Sequence, residues 1–359
     1  MNAKELKKHE VRNAIISMLP TSADTIKKTI TESFNIQNAA VNKHLRSMVD
    51  EGLIKPHDKS KNNRSYSVKS KRVFSKKYTI TESLAEDLVW RDDVEPLLVG
   101  VTDNAREIWN HGFTEMFNNA IDHSNGTQIE VTVEKYFNGY TIYVQDNGVG
   151  IFGKIKREFG LHDERQALLE LSKGKLTTDP DRHSGEGIFF TSRAIDKFLI
   201  VADGIFFCHR HDHELDLIDD SDINRPGTLV IMSLNSQTGK ELSKIFNEFA
   251  PADEFTFSKT VVPIHLAQYK KDFLVSRSQA KRVLARVENF KIVVFDFEGV
   301  ENIGQAFADE IFRVFQNKYP DIKLLAVSTT TKIDAMIERA KALNKEKNLG
   351  YQESSRDSG

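Results

Sequence analysis

Glu115, Asn119 and Asp122 stand at i, i+4 and i+7 in the run Glu115-Met-Phe-Asn-Asn119-Ala-Ile-Asp122-His123. That spacing lets one helix face present a carboxylate, an amide and a second carboxylate. Two glycine-bearing motifs follow, Asp146-Asn-Gly148-Val-Gly150-Ile151 and Ser184-Gly185-Glu186-Gly187-Ile188. Asp146 closes an alternating strand pattern, and Gly148 and Gly150 allow the backbone to turn tightly beside it. Gly185 and Gly187 precede the apolar run Ile188 to Ile195, so the free amides of a helix start form a ready anion site. No Gly-x-x-x-x-Gly-Lys-Ser/Thr loop occurs. Taken singly, Glu-x-x-x-Asn is usually a solvated helix face and Asn-Gly usually a turn. In this order the three motifs look like parts of one nucleotide site.

With this order and hydrophobic framing, residues 100–235 resemble the GHKL ATPases, the superfamily of gyrase B, MutL, histidine kinases and the anti-sigma-factor kinases. The resemblance implies an α/β sandwich that binds ATP and Mg²⁺. Glu115 would be the general base that orients and deprotonates an attacking water, and Asn119 would hold Mg²⁺ through its side-chain oxygen, a hard ligand of the kind that ion prefers. Asp146 would accept a hydrogen bond from the adenine amine, with Gly148, Gly150 and Ile151 beneath the base. Gly185, Glu186 and Gly187 would approach the phosphates, and Asp122 and His123 would complete the cofactor-binding stretch. Phe152 to His183 corresponds to the family's mobile ATP lid. Its Lys173, Lys175 or Arg182 could screen γ-phosphate charge or could be solvated loop cations. His123 and His183, without a ligand cluster, do not argue for a transition metal.

The elements that must position these residues are also legible. Ile108, Phe113, Phe117, Ala120 and Ile121 form the apolar stripe of a helix carrying the first motif. Gln128 to Glu134 and Tyr140 to Gln145 alternate as strands about an Asn138-Gly139 turn. Phe198 to Val201, Ile205 to Arg210 and Thr228 to Leu234 predict the remaining strands. Residues 79–99 predict a linker helix packed on this body through Leu84, Leu88, Val89 and Trp90, a candidate for a dimerising segment.

The formal charge of −2 conceals an asymmetry. Residues 1–78 carry 17 Lys/Arg against 7 Asp/Glu, and the remainder carries 33 against 45. A basic module on an acidic body points to a polyanionic partner. Helices are predicted over about Lys4 to Met18, Ala23 to Ser33 and from Asn38 onward. The phrase Val41-x-x-His44-Leu45-x-x-Met48-Val49-x-x-Gly52-Leu53-Ile54 resembles the recognition helix and first wing strand of bacterial winged-helix regulators. That resemblance implies a DNA-binding module over residues 1–78. Asn38, Asn42, Lys43 and Arg46 could face the major groove of double-stranded DNA, and Lys59, Lys61 and Arg64 could contact phosphates from a polar hairpin tip.

From about Phe255 the pattern changes to βαβα: Ile292 to Phe297, Gln305 to Gln316, Ile322 to Ser328 and Ile333 to Leu343. The run Val293 to Glu310 resembles STAS-like domains, of the DUF4325 type, over residues 255–343. STAS anti-anti-sigma factors carry a phosphorylated serine before the helix. The corresponding Ile303-Gly304-Gln305-Ala306 has no hydroxyl, which implies a docking or oligomerisation module instead. Residues 344–359 read as a disordered polar tail.

A chain of 359 residues with 39% hydrophobic composition can fill two or three cores. No run is long and apolar enough to cross a bilayer, no secretory signal is expected, and the one cysteine, Cys208, lies in an apolar run. The expectation is a cytoplasmic α+β multidomain protein. Its function is expected to be that of an ATP-switched DNA-binding transcriptional regulator with slow Mg-dependent hydrolysis. It could act as a homodimer and meet a protein partner through the STAS-like domain. The alternative is an anti-sigma-type Ser/Thr kinase acting on a separate protein, since those kinases share the Glu-x-x-x-Asn-Ala-x-x-His pattern that ends at His123.

Overall fold

The computed structural model describes residues 3–19, 21–58, 64–176, 184–210, 216–221, 225–250, 257–268 and 273–354. The chain is mixed α/β. The amino-terminal unit has α1 (Ala3–Ser17), β1 (Thr21–Ser22), α2 (Ala23–Phe34), α3 (Asn38–Asp50), β2 (Ile54–Asp58) and β3 (Arg64–Val68), with an antiparallel sheet in the order β1-β3-β2. Its core interdigitates Val11, Ile15, Ile26, Ile30, Val41, Leu45 and Met48, the helix-period apolar positions of the three helices. Arg12, 5% exposed, ties α1 to the end of α3. Its guanidinium donates to both Glu51 carboxylate oxygens, at 2.7 and 2.6 Å, and to Ser47 Oγ at 2.6 Å. The Arg12 hydrogen bonds, with one that Ser47 Oγ donates to Glu51 at 2.6 Å, hold the Glu51 carboxyl down at about 2.

The central unit contains β4 (Lys71–Thr79), then α4 (Glu86–Val89), which continues through a π-helical turn (Trp90–Val94) and a 3₁₀ turn (Glu95–Leu97). There follow α5 (Asp103–His123), β5 (Gln128–Tyr136), β6 (Gly139–Asp146), α6 (Ile151–Glu158), α7 (Glu164–Lys173) and α8 (Gly187–Ala194). The unit ends with β7 (Lys197–Ala202), β8 (Ile205–Arg210), β9 (Leu217–Asp220), β10 (Leu229–Asn235) and α9 (Leu242–Phe249). The seven strands pair antiparallel in the order β4-β5-β6-β10-β7-β8-β9. Every second residue points to one face, so Ile129, Val131, Val133, Ile142, Val144 and Met232 meet the helices in a single core.

Three expectations change here. The strand β4 belongs to the edge of the central sheet rather than to the basic module, which leaves 13 Lys/Arg against 7 Asp/Glu in residues 1–70. Its Lys76 pairs with Asp93 at 2.6 Å and its Lys77 with Glu130 at 3.8 Å, and charges of this kind guard an edge strand against further pairing. The expected lid is in large part folded. Residues 151–173 form α6 and α7, whose Phe152, Ile155, Ala167, Leu168 and Leu171 are buried in the central core. Of the expected tail from residue 344, the part up to Ser354 continues a helix, and residues 355–359 lie outside the described residues.

The carboxy-terminal unit has β11 (Lys259–Pro263), α10 (Arg277–Leu284) and β12 (Ile292–Asp296), then α11 (Gln305–Asp309) running through a π-helical stretch (Glu310–Phe315) into α12 (Gln316–Lys318). The strand β13 (Lys323–Val327) and helix α13 (Thr331–Ser354) follow. The order β11-β12-β13 is parallel. Sequence patterning missed β11 and α10, the one short and the other only eight residues. This unit's core takes in Leu169, Phe189, Phe190 and Phe249 from α7, α8 and α9, so the two units share apolar packing.

His111 of α5 lies against Phe246 of α9, with ring centroids 5.4 Å apart, and burial pushes its pKa down to about 4. Its Nε2 has no partner among the described residues. The folded chain therefore binds fewer protons than the unfolded chain, whose histidine protonates near 6.5. Stability contributed by this site is present above that pH and is lost as pH falls toward 4, by on the order of 3 kcal/mol. Urea unfolding at pH 7 and pH 4.5 should show a smaller pH-dependent loss for His111→Phe than for the native chain.

Candidate functional site

A cavity of about 340 Å³ lies between α5, the end of β6 and the start of α8. It has the size of a small-ligand site. From α5, Glu115, Asn119 and His123 line it together with Met116, Asn118 and Ala120. Asp122 does not. It is exposed, although it stands on the same helix face as Glu115 and Asn119, so only two of the expected i, i+4, i+7 set reach the cavity. The face that lines the pocket is centred between Glu115 and Met116, and the buried side of the same helix is fixed by Trp109, Phe113 and Phe117.

Asp146 ends β6 inside the cavity at 5% exposure. Its Oδ1 accepts from the Gly148 amide at 2.8 Å and the Thr228 amide at 3.2 Å. Burial pushes its pKa up, and the two backbone amides pull against that shift. Thr228 was not foreseen, yet it braces the site from just before β10: its Oγ1 accepts from the Ile151 amide at 3.0 Å, and its carbonyl accepts from Asp146 N at 3.0 Å. The signal was Pro226-Gly227 before it, since a Cβ on Gly227, at φ +82°, would strike the Asp146 carbonyl oxygen. Asn147 serves structure: its Oδ1 accepts from Thr127 and Gln128 amides at 2.8 and 3.0 Å.

Gly148 holds the turn rather than lining the pocket, because a side chain there would collide with the Ser124 carbonyl. Gly150 and Ile151 do line it. Gly150 adopts φ +67° at the start of α6, with Asp203 packed where its Cβ would be and Asp203 Oδ2 accepting from Gly153 N at 2.8 Å. One turn further on, Lys154 enters the pocket wall and donates to the His123 carbonyl at 2.9 Å. Sequence reasoning missed it because it lies within the expected lid.

Ser184, Gly185 and Gly187 close the third side. A Cβ on Gly187 would overlap the Glu115 carboxylate, so the start of α8 and the first motif are in direct apposition. Glu186 does not line the pocket; burial raises its pKa and Lys175 opposes the rise.

Neither lysine expected at a phosphate lines the cavity. Lys173 is 0% exposed and pairs with Glu170, itself 1% exposed, at 2.7 Å. Its ammonium also donates to the Ala285 and Arg282 carbonyls at 2.8 and 3.3 Å. Lys175 donates to the Asn289 carbonyl at 3.2 Å and stands 4.9 Å over the Phe290 ring. Both contact the carboxy-terminal unit instead: three acceptors satisfy the Lys173 ammonium, and a carbonyl and a ring face hold the half-buried Lys175. Arg182 and His183 lie outside the described residues.

In the amino-terminal unit, Asn42, Lys43 and Arg46 share one open surface of α3 with Ser47, Asp50 and Glu51. Asn38, Lys43 and Arg46 are exposed and Asn42 is half-buried. Arg64 is exposed at the start of β3, and Lys59 and Lys61 lie outside the described residues.

Residues 279–334 match the family described as STAS-like domain of unknown function (DUF4325). No curated protein matches the chain. The molecule is thus a mixed α/β protein with a carboxy-terminal STAS-like domain. No helix among the described residues is long and apolar enough to cross a membrane.

Lys173→Met should lower stability by about 3–5 kcal/mol, since it strands the buried Glu170 carboxylate beside Arg286 alone. Denaturant titration checks this. Unaltered stability would show that the buried Lys173–Glu170 pair adds no net stability over an apolar side chain.

Proposed function

We propose that the central unit is a GHKL-type ATP-binding domain and that the chain is an ATP-switched DNA-binding regulator of transcription. The observation that carries the reading is the single cavity into which all three motifs contribute: Glu115 and Asn119, the buried Asp146, and Gly185 with Gly187. Asp146 supplies a buried acceptor for an amine in the plane of a base, and its shell of backbone amides leaves it rigid. The residues present suit Mg²⁺ bound together with phosphate: Asn119 and Glu115 are oxygen donors on adjacent turns, and Asn119 would hold the ion. Bound there, the ion would neutralise developing phosphate charge. Glu115 beside the α8 start would orient a water and accept its proton.

For DNA, support comes from α3, whose Lys43 and Arg46 project to solvent on the face opposite Val41, Leu45 and Met48. The amino-terminal unit would be a winged helix, with β2 and β3 as the wing. ATP can switch such a module only if it binds two arrangements of the chain with different affinity. The STAS-like domain would dock a protein or a second copy. Its Gly304-Gln305-Ala306 helix start offers no hydroxyl, so phosphate transferred to a separate protein would mark the kinase alternative.

Calorimetry with Mg-ATP tests the pocket. Glu115→Ala should leave ATP affinity within about threefold, whereas Asp146→Asn should weaken it by more than about tenfold, the cost of a mismatched buried hydrogen bond. Equal effects of the two changes would contradict the assigned roles. For the DNA surface, the Lys43→Ala, Arg46→Ala pair should weaken duplex binding and reduce the salt slope by about 2 if both contact phosphates. Unchanged duplex affinity and slope would assign the basic unit to another partner.

A further inference from the structure

The segment Gly174–Leu176 joins α7 to the pocket and has an unusual conformation. Gly174 and Lys175 are both left-handed, at φ +77° and +52°. A lysine in that region is strained and persists only where its surroundings fix it. Those surroundings come from the STAS-like domain. Arg286 donates to the Lys175 carbonyl and lies 3.5 Å from the buried Glu170 carboxylate, while Lys175 reaches the Asn289 carbonyl. On the other flank the Gly174 position abuts the Phe257 ring, so no side chain larger than hydrogen fits there.

Leu176 then lines the cavity, and its backbone packs on Gly185, where a Cβ would come within 2.5–2.6 Å of it. Two residues on, Gly187 meets Glu115. The helix that Gly187 opens is seated in the same foreign core, with Phe189 4.6 Å from Phe257 between ring centroids, and Phe257 5.3 Å from Phe290. A continuous set of contacts therefore runs from Arg286 through Lys175, Leu176 and Gly185 to the α8 start and Glu115.

We propose that Arg286, supplied by the STAS-like domain, is a positioning residue for the pocket: it fixes the Gly174–Leu176 strap and through it the Gly185–Gly187 turn. The phosphate end of the site is incomplete without the carboxy-terminal domain, whereas the Asp146 end is built wholly within the central unit. The consequence for ligands rests on the nucleotide reading above; the positioning itself does not.

The test uses the full chain as Arg286→Ala and Arg286→Lys. In hydrogen exchange without nucleotide, Arg286→Ala should speed exchange about tenfold or more at Leu176 and at Gly185–Gly187, with β5, β6 and α5 unchanged. In calorimetry the same change should weaken Mg-ATP about tenfold, a coupling of ordinary size, and leave adenosine within about twofold. Arg286→Lys, which keeps one donor and the charge, should recover part of both effects. Unchanged exchange at the strap overturns the proposal. So does faster exchange throughout the molecule, or an equal loss of ATP and adenosine, either of which would give Arg286 a merely structural role. If the native chain binds neither ligand, the nucleotide reading fails, and the exchange pattern alone decides the positioning role.

Discussion

The rotational setting of α5 is the constraint on which the site depends. Ile108, Trp109, Phe113 and Phe117 are fully buried beneath the seven-stranded sheet. Phe113 and Phe117 stack at 5.4 Å, Tyr78 of the edge strand meets Phe117 edge-on at 5.5 Å, and Trp90 meets Phe113 at 5.7 Å. Each buried side chain of this size stabilises the helix setting by roughly 1.5–3 kcal/mol. Any roll that moved Glu115 and Asn119 away from the cavity would expose that stripe. The polar face is therefore held by the apolar one. Val89 and Trp90 also give residues 79–99 their expected packing role, as a clasp on α5, although Leu88 faces solvent rather than the core.

On this fixed wall the rest of the pocket is assembled by close backbone approach. Gly148 against Ser124, Gly227 against Asp146 and Gly187 against Glu115 bring three separate elements within contact, and none tolerates a Cβ. Burying Asp146 in such a place is costly unless its oxygens are satisfied, and the Gly148 and Thr228 amides do so. The buried Lys173–Glu170 pair follows the same rule at the junction with the STAS-like domain, where main-chain carbonyls of that domain complete the ammonium's hydrogen bonds. The two units are thereby joined by satisfied polar groups as well as by the Phe189, Phe249 and Phe257 packing.

Periodicity was a good guide wherever one face is buried and the other solvated. The α5 stripe, the β5–β6 hairpin and the three amino-terminal helices all lie close to their expected ranges. Misreadings arose where polarity had a tertiary cause. The lysines of β4 read as part of a basic module because an edge strand needs charge. Lys173 and Lys175 read as loop cations because their partners, Ala285 and Asn289, lie over a hundred residues away and are main-chain carbonyls without sequence identity. Thr228 and Lys154 carry no motif of their own, and only the fold brings them to Asp146 and His123.

The most direct test of the proposed ATP-coupled regulator is phosphate release from Mg-ATP by the purified full chain, measured with and without duplex DNA and beside Glu115→Ala. The account predicts slow release that Glu115→Ala abolishes and that DNA changes in rate. ATP binding with no release, or release indifferent to both DNA and Glu115, would contradict it.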